Sequence, residues 1–139
     1  MSKVAIVFWS ATGNTETMAN CIAEGAGAAA TIVPCGEMNA AKLGEYDVVA
    51  FGCPAMGAEQ LEESEFEPMF ASLEGSLNGK KAALFGSYGW GDGQWMREWQ
   101  ERTEKAGAVL CGEGLIVNEA PDEAGLESCR ALGMRLASA

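Results

Sequence analysis

Short apolar runs alternate with amphipathic helical segments along the chain, and this alternation restricts the fold more than any other feature. The runs over residues 3–9 (KVAIVFW) and 47–53 (DVVAFGC) are almost continuously apolar, as in strands that are buried on both faces. The predicted strands cover residues 3–9, 31–34, 47–53, 81–85 and 109–117, the last interrupted around 111–114. The predicted helices cover residues 14–27, 66–73 and 94–106, and a fourth helix begins at Pro121–Asp122.

This order of elements predicts an α/β fold, a doubly wound parallel sheet with helices on both faces, because parallel strands need crossover connections. The 139 residues contain no repeat or linker, so we expect a single domain over residues 1–139. Ligands of such sheets bind outside the carboxyl ends of the strands. The loops after the first, third and fourth strands are therefore the candidate site.

The charge balance restricts the partners. Nine basic and 20 acidic residues give a net charge of −11, which argues against nucleic acid and anionic membrane surfaces and favours basic protein partners. No apolar run approaches the roughly 18 residues of a membrane span. The start, Met1-Ser2-Lys3-Val4, lacks the pattern of a signal peptide. We therefore expect a cytoplasmic protein.

Two residue types exclude most catalytic and metal chemistry. The chain has no histidine, which excludes histidine-based triads, histidine proton shuttles and Cys/His zinc sites. No two cysteines form a C-x-x-C pair, the spacing of iron–sulfur, zinc and thioredoxin sites. We expect reduced thiols, mostly packed in the core, at Cys21, Cys35, Cys53, Cys111 and Cys129.

The loop after the first strand is rich in hydrogen-bond donors and contains no charge. It leads directly into a helix and consists of Ser10, Ala11, Thr12, Gly13, Asn14 and Thr15. Unpaired N–H groups and the helix dipole favour an anion there, and without a lysine or a P-loop pattern a monophosphate ester fits better than a triphosphate. Helix capping is the alternative, although it accounts for only one or two of these residues.

A G-x-G-x-x-A pattern over residues 25–30 is not a dinucleotide-binding motif. It follows a helix and precedes a strand, which is the reverse of the order in that motif.

The loop after the third strand combines a soft side chain with a flexible peptide. It consists of Pro54, Ala55, Met56, Gly57, Ala58 and Glu59. A glycine at a strand end permits its peptide to flip, and methionine is a polarizable packing surface. Further along, Ser64 and Glu67 have the spacing of a capping box, which predicts the start of a helix there.

The loop after the fourth strand has glycines on both sides of a tryptophan. It includes Ser87, Tyr88, Gly89, Trp90, Gly91 and Asp92. We expect a mobile backbone that approaches a ligand while Trp90 covers it; the alternative is a core tryptophan in a tight turn. Trp95 and Trp99, one helical turn apart, are predicted to pack in the core or at its rim. A flat heteroaromatic ring with a monophosphate tail fits the three loops together, and flavin mononucleotide (FMN) is the candidate.

These motifs resemble those of the short-chain flavodoxins of anaerobic bacteria, with S-A-T-G-N-T as phosphate loop and C-P-A-M-G-A-E-Q-L-E and G-S-Y-G-W-G-D-G as flavin loops. The resemblance extends from Lys3 to the final helix. It implies a five-stranded sheet in the order 2-1-3-4-5, tightly but non-covalently bound FMN, and low-potential one-electron transfer. It also implies a monomer whose partners are redox proteins with basic docking surfaces, such as iron–sulfur or flavin oxidoreductases.

The resemblance also assigns roles to single residues. Ser10, Thr12, Asn14 and Thr15 would bind the phosphate, with Gly13 supplying backbone and Ser87 reaching the phosphate or ribityl chain. Met56 would cover the inner flavin face and Trp90 the outer one. Gly57 would present its carbonyl to N5–H of the reduced flavin and thereby stabilise the neutral semiquinone, although Ala58, where other members can carry Asp, affects this turn. Glu59 would hold N3–H, and Gly89 would donate from its backbone.

The acidic residues predict a second electrostatic effect. Eight acids and no basic residue lie between Lys42 and Lys80, and they would disfavour an anionic reduced ring: Glu45, Asp47, Glu59, Glu62, Glu63, Glu65, Glu67 and Glu74.

Two other functions remain as alternatives. A flavin-dependent NAD(P)H or quinone reductase would need a pocket for a second substrate, and no inserted loop builds one. A receiver module would need acids after the first strand, where Trp9-Ser10 stands, and a lysine after the fifth. An electron donor dedicated to one enzyme is a narrower form of the main interpretation.

Overall fold

A parallel β-sheet with helices on both faces runs through the computed structural model. The structure describes residues 2–139; Met1, where the predicted domain begins, lies outside the described residues. The strands are β1 (Val4–Phe8), β2 (Ala30–Ile32), β3 (Val48–Gly52), β4 (Lys81–Tyr88), β5 (Val109–Leu110) and β6 (Leu115–Asn118). The helices are α1 (Asn14–Ala26), α2 (Ala40–Leu43), α3 (Phe66–Leu73), α4 (Gln94–Lys105) and α5 (Glu123–Ala137).

The sheet has the order β2-β1-β3-β4-β5, and β6 also pairs with β4. All of these pairs are parallel, so the α/β class and the order 2-1-3-4-5 are confirmed. The predicted fifth strand is divided: β5 pairs with the first residues of β4, and β6 pairs with residues 85–88 of β4. This second pairing extends β4 to Tyr88, so Ser87 and Tyr88 lie on a strand rather than in a loop.

Two apolar layers cover the sheet because successive strand residues point to opposite faces. Val4 and Ile6 of β1 belong to the layer beneath α1 and α5, whereas Ala5 and Val7 belong to the layer beneath α3 and α4. The predicted core positions of Trp95 and Trp99 are confirmed, since each is 2 % exposed. Within residues 2–139, no helix is both long and apolar enough to cross a membrane.

The start of α3 differs from the sequence prediction. The predicted capping box of Ser64 and Glu67 is wrong, because the Glu62 carboxylate takes that role. It accepts the backbone N–H groups of Ser64, Glu65 and Phe66, each at 2.8 Å, and the Ser64 hydroxyl also donates to it. Glu62 is only 7 % exposed, so a buried carboxylate caps the helix from the loop that precedes it.

The cysteines are free thiols, as predicted, and all but Cys111 are buried. Burial raises the pKa of both Cys53 and Cys129 to about 12, so these thiols stay protonated and unreactive at neutral pH.

Candidate functional site

The carboxyl ends of β1, β3 and β4 border one cavity of about 480 Å³. Residues from all three predicted loops line it: Ser10, Ala11, Thr12, Asn14, Thr15, Pro54, Ala55, Met56, Ser87, Tyr88 and Gly89. The Ala55 N–H donates to the Ser87 carbonyl at 3.0 Å and joins the second loop to β4. The chain folds so that these segments meet because parallel strands end at the same edge of the sheet.

The first loop presents unpaired backbone donors to this cavity. The Ser10 hydroxyl accepts the N–H groups of Gly13 (3.2 Å) and Glu16 (3.3 Å), so the capping alternative applies to Ser10. Among the described residues, the N–H groups of Asn14 and Thr15 at the start of α1 find no acceptor. They are donors at the positive end of a helix dipole, in a loop without any basic side chain.

Two hydroxyls in the wall of the cavity bind each other. Thr15 and Ser87 are 1 % and 5 % exposed, and their Oγ atoms are 3.1 Å apart. The Ser87 N–H also donates to the Thr15 hydroxyl at 3.4 Å. The start of α1 is thereby attached to β4, which holds the first loop against the sheet.

The second loop closes on itself. Met56 and Gln60 exchange backbone hydrogen bonds of 2.8 and 3.0 Å, and the residues between them form an exposed turn. Gly57 has φ +49°, and a Cβ atom there would meet nothing within 4 Å. The positive φ and the open surroundings of Gly57 are compatible with a flip of its peptide, which stays a prediction.

The base of the second loop is anchored to the core at both ends. The Trp95 indole N–H donates to the Cys53 carbonyl at 3.2 Å, and the Glu62 N–H donates to the Cys53 sulfur at 3.4 Å. Glu62 in turn caps α3. These contacts hold the base of the turn around Gly57 in place.

Seven predicted site residues lie beside the cavity rather than in its lining: Gly13, Gly57, Ala58, Glu59, Trp90, Gly91 and Asp92. Trp90 is 68 % exposed, which excludes the alternative of a core tryptophan in a tight turn. Asp92 forms an exposed ion pair with Arg97 at 3.1 Å. Glu59 is half-buried, and its Oε1 atom is fully buried.

Two lining residues, Glu119 and Ala120, are absent from the sequence prediction. They follow β6, and the Glu119 N–H donates to the Tyr88 carbonyl at 2.7 Å. The rule that ligands bind at the carboxyl ends of parallel strands applies equally to the loop after the last strand. That loop carried no glycine or aromatic motif to draw attention to it.

Some of the acids between Lys42 and Lys80 have partners in the folded chain, whereas the effect of the stretch on a reduced ring stays a prediction. Arg102 of α4 binds both Glu67 (2.7 Å) and Glu74 (2.8 Å), and its hydrogen bond lowers the pKa of Glu74. The Glu62 carboxylate caps α3, and Asp47 accepts the Lys3 N–H at the opposite edge of the sheet. Two of the eight acids are therefore paired with a cation, and the sequence does not show this pairing because Arg102 lies outside the stretch.

The donor set fits the predicted FMN. Neutral N–H groups at the start of α1 suit a monophosphate, and the cavity continues from them to Met56 and Tyr88, two side chains suited to a flat ring. Trp90 lies exposed at the side of the cavity, where its indole is available to a ligand.

Comparisons with known proteins agree with this geometry. The family model described as Flavodoxin matches residues 6–133. The chain is 50% identical to a flavodoxin of Megasphaera elsdenii, over 98% of this chain and 99% of that one, and 46% identical to one of Clostridium beijerinckii, over 96% and 98%. The solution structure of the two-electron reduced Megasphaera elsdenii flavodoxin superposes with a TM-score of 0.89, covering 98% of this chain and 99% of that one.

Proposed function

Because the chain belongs to the flavodoxin family, we propose that residues 1–139 act as a single domain that carries electrons at low potential between redox proteins. It is an FMN-binding electron-transfer protein rather than an enzyme. Bound FMN supplies the redox chemistry, and the protein binds it, orients it and sets its surroundings. The observation that carries this function is the cavity in which the unpaired N–H groups of α1 meet loops from two neighbouring strands.

The binding residues are part of this proposal. The N–H groups of Asn14 and Thr15, with Ser10, Thr12 and Gly13, bind the phosphate without a countercharge. The other proposed contacts are Ala11, Pro54, Ala55, Met56, Gly57, Ala58, Glu59, Ser87, Tyr88, Gly89, Trp90, Gly91 and Asp92, to which the cavity adds Glu119 and Ala120.

FMN binding tests the function directly. Cofactor-free protein is expected to quench the fluorescence of added FMN with one-to-one stoichiometry, and a redox titration should resolve two one-electron steps. Protein that leaves FMN fluorescence unchanged would contradict the proposal. Rapid oxidation of NADPH by the loaded protein alone would instead favour the reductase alternative.

We also propose that the partners carry basic surfaces. The net charge is −11, and Glu63, Glu65 and Glu113 are exposed acids among the many on the surface. Exposed charges of this kind steer the encounter of proteins more than they add affinity. We further propose that the protein is cytoplasmic and monomeric.

Replacing Gly57 with Val tests the proposed movement of its peptide. A β-branched residue is strained at φ +49°, so the peptide loses the freedom that glycine provides. The two one-electron potentials should move closer together by tens of millivolts, where about 59 mV corresponds to a tenfold change in a one-electron equilibrium. Gly79→Val is the control, because Gly79 also has a positive φ (+79°) and open surroundings but lies outside the cavity lining. Unchanged potentials in a redox titration of Gly57→Val would exclude a role for this peptide.

A further inference from the structure

Gly91 and Glu59 belong to different loops and are packed directly against each other. A Cβ atom at Gly91 would lie 2.5 Å from Oε1 and 2.7 Å from Cδ of Glu59, closer than carbon atoms approach other side chains. Both residues have positive φ angles, +90° for Gly91 and +52° for Glu59. The space that a side chain at position 91 would fill is therefore occupied by the Glu59 carboxyl group.

One oxygen of the Glu59 carboxyl group is held by packing rather than by a hydrogen bond. Its Oε1 atom is buried and has no hydrogen-bond partner within residues 2–139. A buried carboxyl oxygen without a donor is costly, and proteins normally provide a donor for such an atom. The Glu59 carboxyl group therefore retains a hydrogen-bond acceptor that no protein donor within residues 2–139 uses.

We propose that Gly91 is a positioning residue, whose missing side chain keeps the Glu59 carboxyl group where it accepts a hydrogen bond from the cofactor. This inference rests on the proposed role of Glu59 at N3–H of the flavin. The atoms that a new Cβ would meet are the end of a flexible side chain. Alanine at position 91 is therefore accommodated by displacing Glu59 rather than by unfolding the protein.

A double-mutant cycle separates this role from a general effect on the loop. Gly91→Ala should weaken FMN binding about tenfold in the wild-type background and less than about twofold in a Glu59→Ala background. The effects of substitutions at two residues in direct contact do not add. Dissociation constants come from the quenching of FMN fluorescence. Equal losses in both backgrounds would overturn the proposal.

Gly93 provides a matched control in the same segment. It has the same φ of +90°, but a Cβ atom there would meet only the ends of two flexible side chains, Ile116 at 3.2 Å and Arg97 at 3.7 Å. Gly93→Ala therefore reports the cost of a positive φ alone, and its effect on FMN binding should be the same with and without the Glu59 side chain. Urea unfolding should show that the Gly91 and Gly93 variants lose similar stability.

A second measurement needs no cofactor. In the cofactor-free protein, the carboxyl carbon-13 resonance of Glu59 should shift in Gly91→Ala and stay in place in Gly93→Ala. An unmoved resonance in both variants would refute the contact. Wild-type protein that fails to bind FMN would contradict the proposed function, whereas the resonance would still report on the contact between the two loops.

Discussion

Replacing Thr12 with Glu is expected to weaken FMN binding by about a thousandfold or more, because two unit charges 4 Å apart repel by about 4 kcal/mol at an effective dielectric constant of 20. Thr12 lies in the exposed first loop and lines the cavity, next to the unpaired N–H groups at the start of α1. A phosphate monoester carries a charge of about −1.5 to −2 at neutral pH. No basic residue in the loop would offset the new carboxylate.

Two control variants isolate the charge and its position. Thr12→Gln adds a side chain of the same size without charge and should bind FMN within about threefold of wild type, as expected for an exposed neutral change. Thr17→Glu adds the same charge one turn along α1, on an exposed residue outside the cavity lining. Riboflavin, which lacks the phosphate, should bind Thr12→Glu as it binds wild type. Tight FMN binding by Thr12→Glu would place the phosphate elsewhere.

Replacing Glu62 with Gln is expected to lower the free energy of unfolding by about 2–3 kcal/mol, since hydrogen bonds to a charged group are among the strongest in proteins. The carboxylate accepts three backbone N–H groups at the start of α3, and an amide satisfies fewer of them. Glu63→Gln is the matched control, because Glu63 is exposed and should change stability by less than about 0.5 kcal/mol. Urea unfolding of the cofactor-free protein at pH 7 measures both.

Glu62 also predicts how stability depends on pH. Burial alone would raise its pKa, but the Ser64 hydroxyl and the backbone N–H groups outweigh burial and lower the pKa from 4.5 to about 2. A carboxyl group with a lower pKa in the folded state stabilises the protein fully above the unfolded pKa, and this contribution is lost as the pH falls from about 4.5 to 2. Glu62→Gln should remove this part of the acid sensitivity. An identical pH profile in wild type and variant would contradict the cap.

Local patterns predicted the strands and helices well because burial on one or two faces leaves a periodicity in the sequence. The place of the first loop at the cavity was predictable for the same reason, since its residues lie between one strand and the helix that follows it. Glu119 was missed because its place at the cavity depends on β6 pairing with the end of β4. The sequence assigns the cap of α3 to Ser64, because nothing in it distinguishes the buried Glu62 from the four other glutamates of residues 59–67.

The sequence by itself determined the α/β class, the exclusion of chemistry that needs histidine, and the three loops that border the cavity. Only the tertiary structure decided how charged groups pair, as Arg102 does with Glu67 and Glu74, and which residues support the site rather than line it. The contact of Gly91 with Glu59 is of this kind, because it joins loops that follow different strands. Periodicity records which face of an element is buried, whereas such contacts depend on where separate elements come together in space.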